Sequence, residues 1–155
     1  MKPLLIISIA ITVAFSACES SSVPAPETKQ PVEVKNDSHG KDQSTLALNN
    51  GEKWKADEST NANVASLEKA LDRFYNMGEK KLEDYKTLQT SLQAGIEKMV
   101  KECRMKGADH DALHLWLEPL MKMVRDLGKV KSEEQSAAAL ETINRQIKMY
   151  PQYFQ

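Results

Sequence analysis

Apolar residues fall at Val64, Leu67, Leu71 and Phe74, three, four and three positions apart, the spacing that lines one face of an α-helix. A second stripe runs through Leu82, Tyr85, Leu88, Leu92, Ile96, Met99 and Cys103. A third runs through Leu113, Trp116, Leu117, Leu120, Val124 and Leu127, and a fourth through Ala139, Leu140, Ile143, Ile147 and Tyr150. No segment alternates with the period of two that a half-buried strand needs, so the pattern predicts helices and no sheet. Gly78 is expected to end the first helix and Gly107 to supply a left-handed stop for the second. Asp109 is expected to cap the third helix, which Gly128 closes, and Ser132 opens the fourth with Glu133 and Glu134 in its first turn. Pro119, inside the third helix, removes a backbone hydrogen bond and predicts a kink, while Pro151 stops the fourth. Ahead of the first stripe, Asn49-Asn50-Gly51 reads as a turn and Trp54 as an aromatic plug folding back on the core. Four such helices on short connections predict an all-α fold, an antiparallel up-down-up-down four-helix bundle over residues 48–155.

The chain begins differently. MKPLLIISIAITVAFSACESSS carries one lysine, an apolar run from Leu4 to Phe15, and the small residues Ser16 and Ala17 before Cys18. This is the pattern of a secretory signal, expected over residues 1–17, and its apolar run is shorter than the ~20 residues of a spanning helix. From residue 18 to 47 the sequence is rich in Ser, Pro, Lys and acidic residues and lacks any aromatic. It cannot bury enough apolar surface to offset the entropy of ordering, so it reads as a tether. His39, inside it, reads as a passive linker histidine.

Composition narrows the function classes. The whole chain has a formal net charge of -1, and loss of the signal removes Lys2 and no acidic residue. No basic stripe with interleaved aromatics suggests nucleic acid, and no acidic block suggests a charged tail. There is no Ser/His/Asp set, no Gly-rich phosphate loop and no carboxylate pair with a positioned base, so no enzyme is expected.

The chemistry-bearing residues gather in CRMKGADHDALHLWLEPL, Cys103 to Leu120. His110 and His114 are four apart at the start of the third helix, which puts both imidazoles on one face. The positive end of the helix dipole disfavours the imidazolium there, leaving neutral rings as ligands. A turn through Gly107 is expected to bring Cys103 and Met105 to the opposite side of the same ion. Thiolate, thioether and imidazole form a soft donor set that selects copper(I) first and zinc second and excludes magnesium and calcium. Met121 and Met123 are candidates for outer thioethers but read more simply as core filler. Lys101, Arg104 and Lys106 place positive charge around Cys103, opposed by the negative end of the second helix. Each residue also has a plainer reading. A cysteine on an inward stripe ordinarily acts as a small apolar core residue, and histidines in a first turn often bond only water or a carboxylate such as Asp109 or Asp111.

Phe15-Ser16-Ala17-Cys18 resembles the lipobox of bacterial lipoproteins, which implies that Cys18 is lipidated and becomes the first residue of the mature chain; Phe15 stands where leucine is commonest. Ordinary cleavage after Ala14 or Ala17 would instead give a soluble exported protein. Lipidation of Cys18 would leave Cys103 without an intramolecular disulfide partner in an oxidising compartment. The bundle's size and short loops resemble the periplasmic cytochrome-type four-helix haem bundles. Those carry a methionine early in the first helix and a histidine late in the fourth. Here the fourth helix contains no histidine and the chain no CxxCH motif, so no haem is expected. A second resemblance joins NGEKWKADEST, Asn50 to Thr60, with CRMKGADHDALHLWL, Cys103 to Leu117. Together they are similar to a family of small exported proteins of Gram-negative bacteria with the pattern NGxKWxxxxxT, then CxMKGxxHxxLHxxL, which implies export but no particular activity. The expectation is therefore an envelope protein, tethered to a membrane through its N-terminal lipid. It would bind a soft transition metal as buffer, carrier or sensor through Cys103, Met105, His110 and His114. The alternative is a structural or interaction bundle that meets an envelope protein partner without metal. Either would be a monomer or a weak dimer.

Overall fold

A computed structural model describes residues 45–155. The signal sequence, Cys18 and His39 lie outside the described residues. Four long helices carry the four apolar stripes: α1 (Glu58–Tyr75), α2 (Leu82–Glu102), α3 (Gly107–Leu127) and α4 (Glu133–Lys148). A single turn, α5 (Tyr150–Tyr153), follows. Each helix packs on the next in sequence, and α4 closes onto α1 and α2, giving the up-down-up-down bundle. Among the described residues no helix is long and apolar enough to cross a membrane.

The stripes meet along the bundle axis because each is the only face of its helix that can leave water. Leu67, Leu71, Leu92, Ile96, Met99, Leu113, Trp116, Leu120, Val124, Leu140, Ile143 and Ile147 are all buried. Gly95 lets α1 and α2 approach closely, since a Cβ there would stand 2.6 Å from Leu67 Cδ2. Trp116 is fully buried without an orphaned indole. Its Nε1–H donates to the Gln146 carbonyl at 2.8 Å, and the Gln146 amide donates back to the Trp116 carbonyl at 2.8 Å, tying α3 to α4.

The punctuation departs from expectation at Gly78, which lies beyond the Asn76 cap of α1, and at Asp109, Gly107 and Pro151. α1 opens at Glu58, before its first apolar residue, because Asp57 caps it by accepting the Thr60 N–H at 2.6 Å. α3 opens at Gly107, so Asp109 lies in its first turn and caps nothing. Gly107 is left-handed (φ 62°) as expected, but as the first residue of α3; α2 has already ended at Glu102. Pro151 does not stop α4, which ends at Lys148, and instead fits the first turn of α5, where no helical partner for its missing N–H is needed. Pro119 sits on the exposed side of α3, which continues past it to Leu127.

Ahead of α1, Asn50 and Gly51 both take positive φ, and Asn49 and Glu52 exchange backbone hydrogen bonds of 2.8 and 3.0 Å, a tight Asn-Gly turn. Trp54 then packs against the core as the expected plug, its Nε1–H donating to the Ala47 carbonyl at 2.7 Å. Its backbone pairs with the chain's end: Trp54 N–H to the Tyr153 carbonyl at 2.8 Å, and Gln155 N–H to the Trp54 carbonyl at 3.0 Å. These pairs form only isolated bridges, and the described residues contain no sheet.

Candidate metal centre at the α2–α3 turn

The two sequence motifs, 50–60 and 103–117, come together at one end of the bundle, and Asp57 is the residue that joins them. Its carboxylate accepts the Thr60 N–H of its own helix and, at 2.6 Å, the N–H of Arg104 in the α2–α3 turn. Burial by itself raises the Asp57 pKa. Hydrogen bonds from Thr60, Arg104 and Ser59 outweigh it and hold the pKa down to about 2. The Ser59 hydroxyl lies 2.9 Å from Asp57 and 3.0 Å from the Glu102 carbonyl, so its one proton can serve either the cap or the end of α2. Asp109 adds a second clasp by accepting the Lys55 N–H at 3.0 Å. On the α1–α2 side, the Glu102 carboxylate accepts from Asn63 at 2.9 Å and pairs with Lys98 at 3.0 Å; these two bonds lower its pKa, Asn63 contributing most.

Beneath the turn, Trp116, Tyr150 and Phe154 form an aromatic stack with ring centroids 4.9 and 4.8 Å apart. The Tyr150 hydroxyl donates to Asn61 at 2.9 Å. Its pKa is pushed well above the ordinary tyrosine value, first by burial and then by the nearby Asp57 and Cys103. Cys103 lies at the same end of the bundle, partly buried. It is the C-terminal cap residue of α2, half-buried and packed against the core, and Met105 packs against the core as well. Met121 and Met123 do the same, as core filler.

The histidines lie on α3. One helical turn apart on α3, His110 and His114 bring their ring centroids to 4.6 Å with the planes at 89°. His110 is half-buried and the His114 side chain is 50% exposed. His114 Nδ1 lies 3.2 Å from Glu118 Oε1, one further turn along the same face. With Nδ1 as the donor in that bond, the Nε2 lone pair is left free for a ligand, the arrangement in which a carboxylate orients a metal-binding imidazole. Glu118 was legible from its spacing to His114 but is absent from the sequence-based site.

Of the four expected ligands, the structure brings the rings of His110 and His114 together and packs Cys103 and Met105 against the core. Among the described residues no three His, Cys, Asp or Glu side chains converge into one metal site. The reason is the direction of the turn. The chain leaves α2 extended at Cys103 (ψ 131°) and is pinned by Asp57 at Arg104, with Cys103 packed against the core and His114 exposed on α3. A shallow hollow of about 160 Å³, lined by Ala70, Phe74, Met77 and Leu88 among others, lies at the far end of the α1–α2 pair. Comparison with protein-family models, with curated proteins and with solved structures found no match to this chain.

Proposed function

We propose that this protein is an exported bundle, tethered to a bacterial membrane through a lipid on Cys18, that binds a transition metal at His110 and His114 as a buffer, carrier or sensor in the cell envelope. The observation that carries the metal reading is the imidazole pair, with Glu118 on the Nδ1 edge of His114. The assembled donors are nitrogen, which suits copper(II) and zinc. The preference therefore moves away from the copper(I) expected of a sulfur-rich set, and Cys103 and Met105 are packing residues. The export reading rests on the Leu4–Phe15 apolar run, on the small residues before Cys18, and on the resemblance of the two motifs to small exported proteins of Gram-negative bacteria.

Titration of the purified full chain with zinc and with copper(II), followed by calorimetry, tests the metal reading. Saturable binding that His110→Ala and His114→Ala each weaken strongly, and that Cys103→Ser leaves in place, is the expected result. Affinity no tighter than millimolar for both metals would remove it. For the tether, Cys18→Ser should release or misprocess the protein, and recovery of unmodified wild-type chain in the soluble envelope fraction would contradict it.

A further inference from the structure

The histidine pair offers two donors, and zinc and copper(II) ordinarily take four. Among the described residues no third His, Cys, Asp or Glu converges on the pair. Glu118 is engaged on the Nδ1 edge of His114, and Cys103 and Met105 are packed against the core.

The pair is nonetheless open to a large partner. The neighbouring Gly107, Ala108 and Asp111 are exposed and short, and the Glu118 side chain is 71% exposed, so no bulky side chain there shields the histidines from a second helix. We infer that one metal ion at His110 and His114 is shared by two copies of this chain, each giving both imidazoles to a four-nitrogen site.

The inference rests on the proposed metal reading and adds what completes the coordination. A pair of ligands one turn apart on a single helix is self-complementary under a two-fold axis, as a closed dimer requires. When two α3 helices cross antiparallel about the midpoint of the pair, His110 of one copy falls opposite His114 of the other. The same register sets Lys106 opposite Glu118, so the flanking charges are complementary. Chains tethered to one membrane surface would meet at raised effective concentration, which favours a metal-bridged dimer over a single chain completed by water.

Native mass spectrometry of the full chain in mild detergent, with zinc added at half the molar amount of protein, counts chains and ions together. The expected species is two chains carrying one zinc, a doubling of mass that a chelator reverses and that neither His110→Ala nor His114→Ala can form. Cys103→Ser should form it as wild type does. One chain carrying one zinc overturns the sharing and leaves the metal reading intact, whereas no retained zinc overturns both. A dimer that survives chelation, or that needs Cys103, is held by other contacts and also overturns the inference.

Discussion

The two sides of the α2–α3 turn have the same helices and the same stretch of sequence but opposite physics. On the inner side the polar groups named above are committed: Asp57 to Thr60 and Arg104, Tyr150 to Asn61, Trp116 to Gln146, with the Thr60 hydroxyl alone left without a partner among them. On the outer side, His110 packs edge to face on His114, which meets Glu118, and both His114 and Glu118 are exposed. A buried polar group must be satisfied by the fold, and once satisfied it is unavailable to a ligand. An exposed group costs little to leave unoccupied, which is why the residues free to bind are those the fold does not need.

Substitutions should therefore separate the two sides. The largest loss belongs to Trp116→Ala, which removes one end of the aromatic stack and orphans the Gln146 carbonyl; about 3–5 kcal/mol of stability should disappear in urea unfolding. Asp57→Ala should cost about 1–2 kcal/mol, the usual range for an N-cap, with added loss from the unpaired Arg104 N–H. On the outer side Glu118→Gln should lower zinc affinity by about tenfold, as loss of an orienting carboxylate does, with little change in unfolding. Smallest of all, His114→Ala without metal should shift stability by no more than about 0.5 kcal/mol, as at other exposed positions. A large loss there would mean that the histidines are structural.

Acid offers an independent probe of the inner side. The folded Asp57 pKa, about 2, lies below the ordinary 3.8. Its contribution is thus fully present above about pH 4 and is lost as pH falls from there through 2, on the order of 1–2 kcal/mol. Asp57→Asn should flatten that part of the stability profile. An unchanged profile would show that the clasp to Arg104 carries no weight.

The four stripes were legible because a bundle helix has one dry face and the sequence must repeat it every three or four residues. Val64 to Phe74 and Leu113 to Leu127 are buried as their spacing predicts. Boundaries were less legible where the decisive partner is distant. Asp57 looks like an ordinary lead-in residue until Arg104, 47 positions away, donates to it. Asp109 looks like a cap until Lys55 claims it. The histidine pair could be read from a spacing of four within one helix, a relation that needs no tertiary information. The facing of Cys103 could not, because it depends on how an extended, pinned turn leaves α2.

The central claim is that the open side, and not the sulfur on the packed side, holds the metal. Thermal unfolding with and without zinc tests it most directly, since an ion bound only by the folded state stabilises it by about 2.7 kcal/mol at a hundredfold excess over its dissociation constant. Zinc should raise the midpoint of wild type and of Cys103→Ser alike, and should leave His110→Ala and His114→Ala where they were. If the two histidine variants were still stabilised by zinc while Cys103→Ser was not, the metal would sit on the inner side and the account given for this end of the bundle would be wrong.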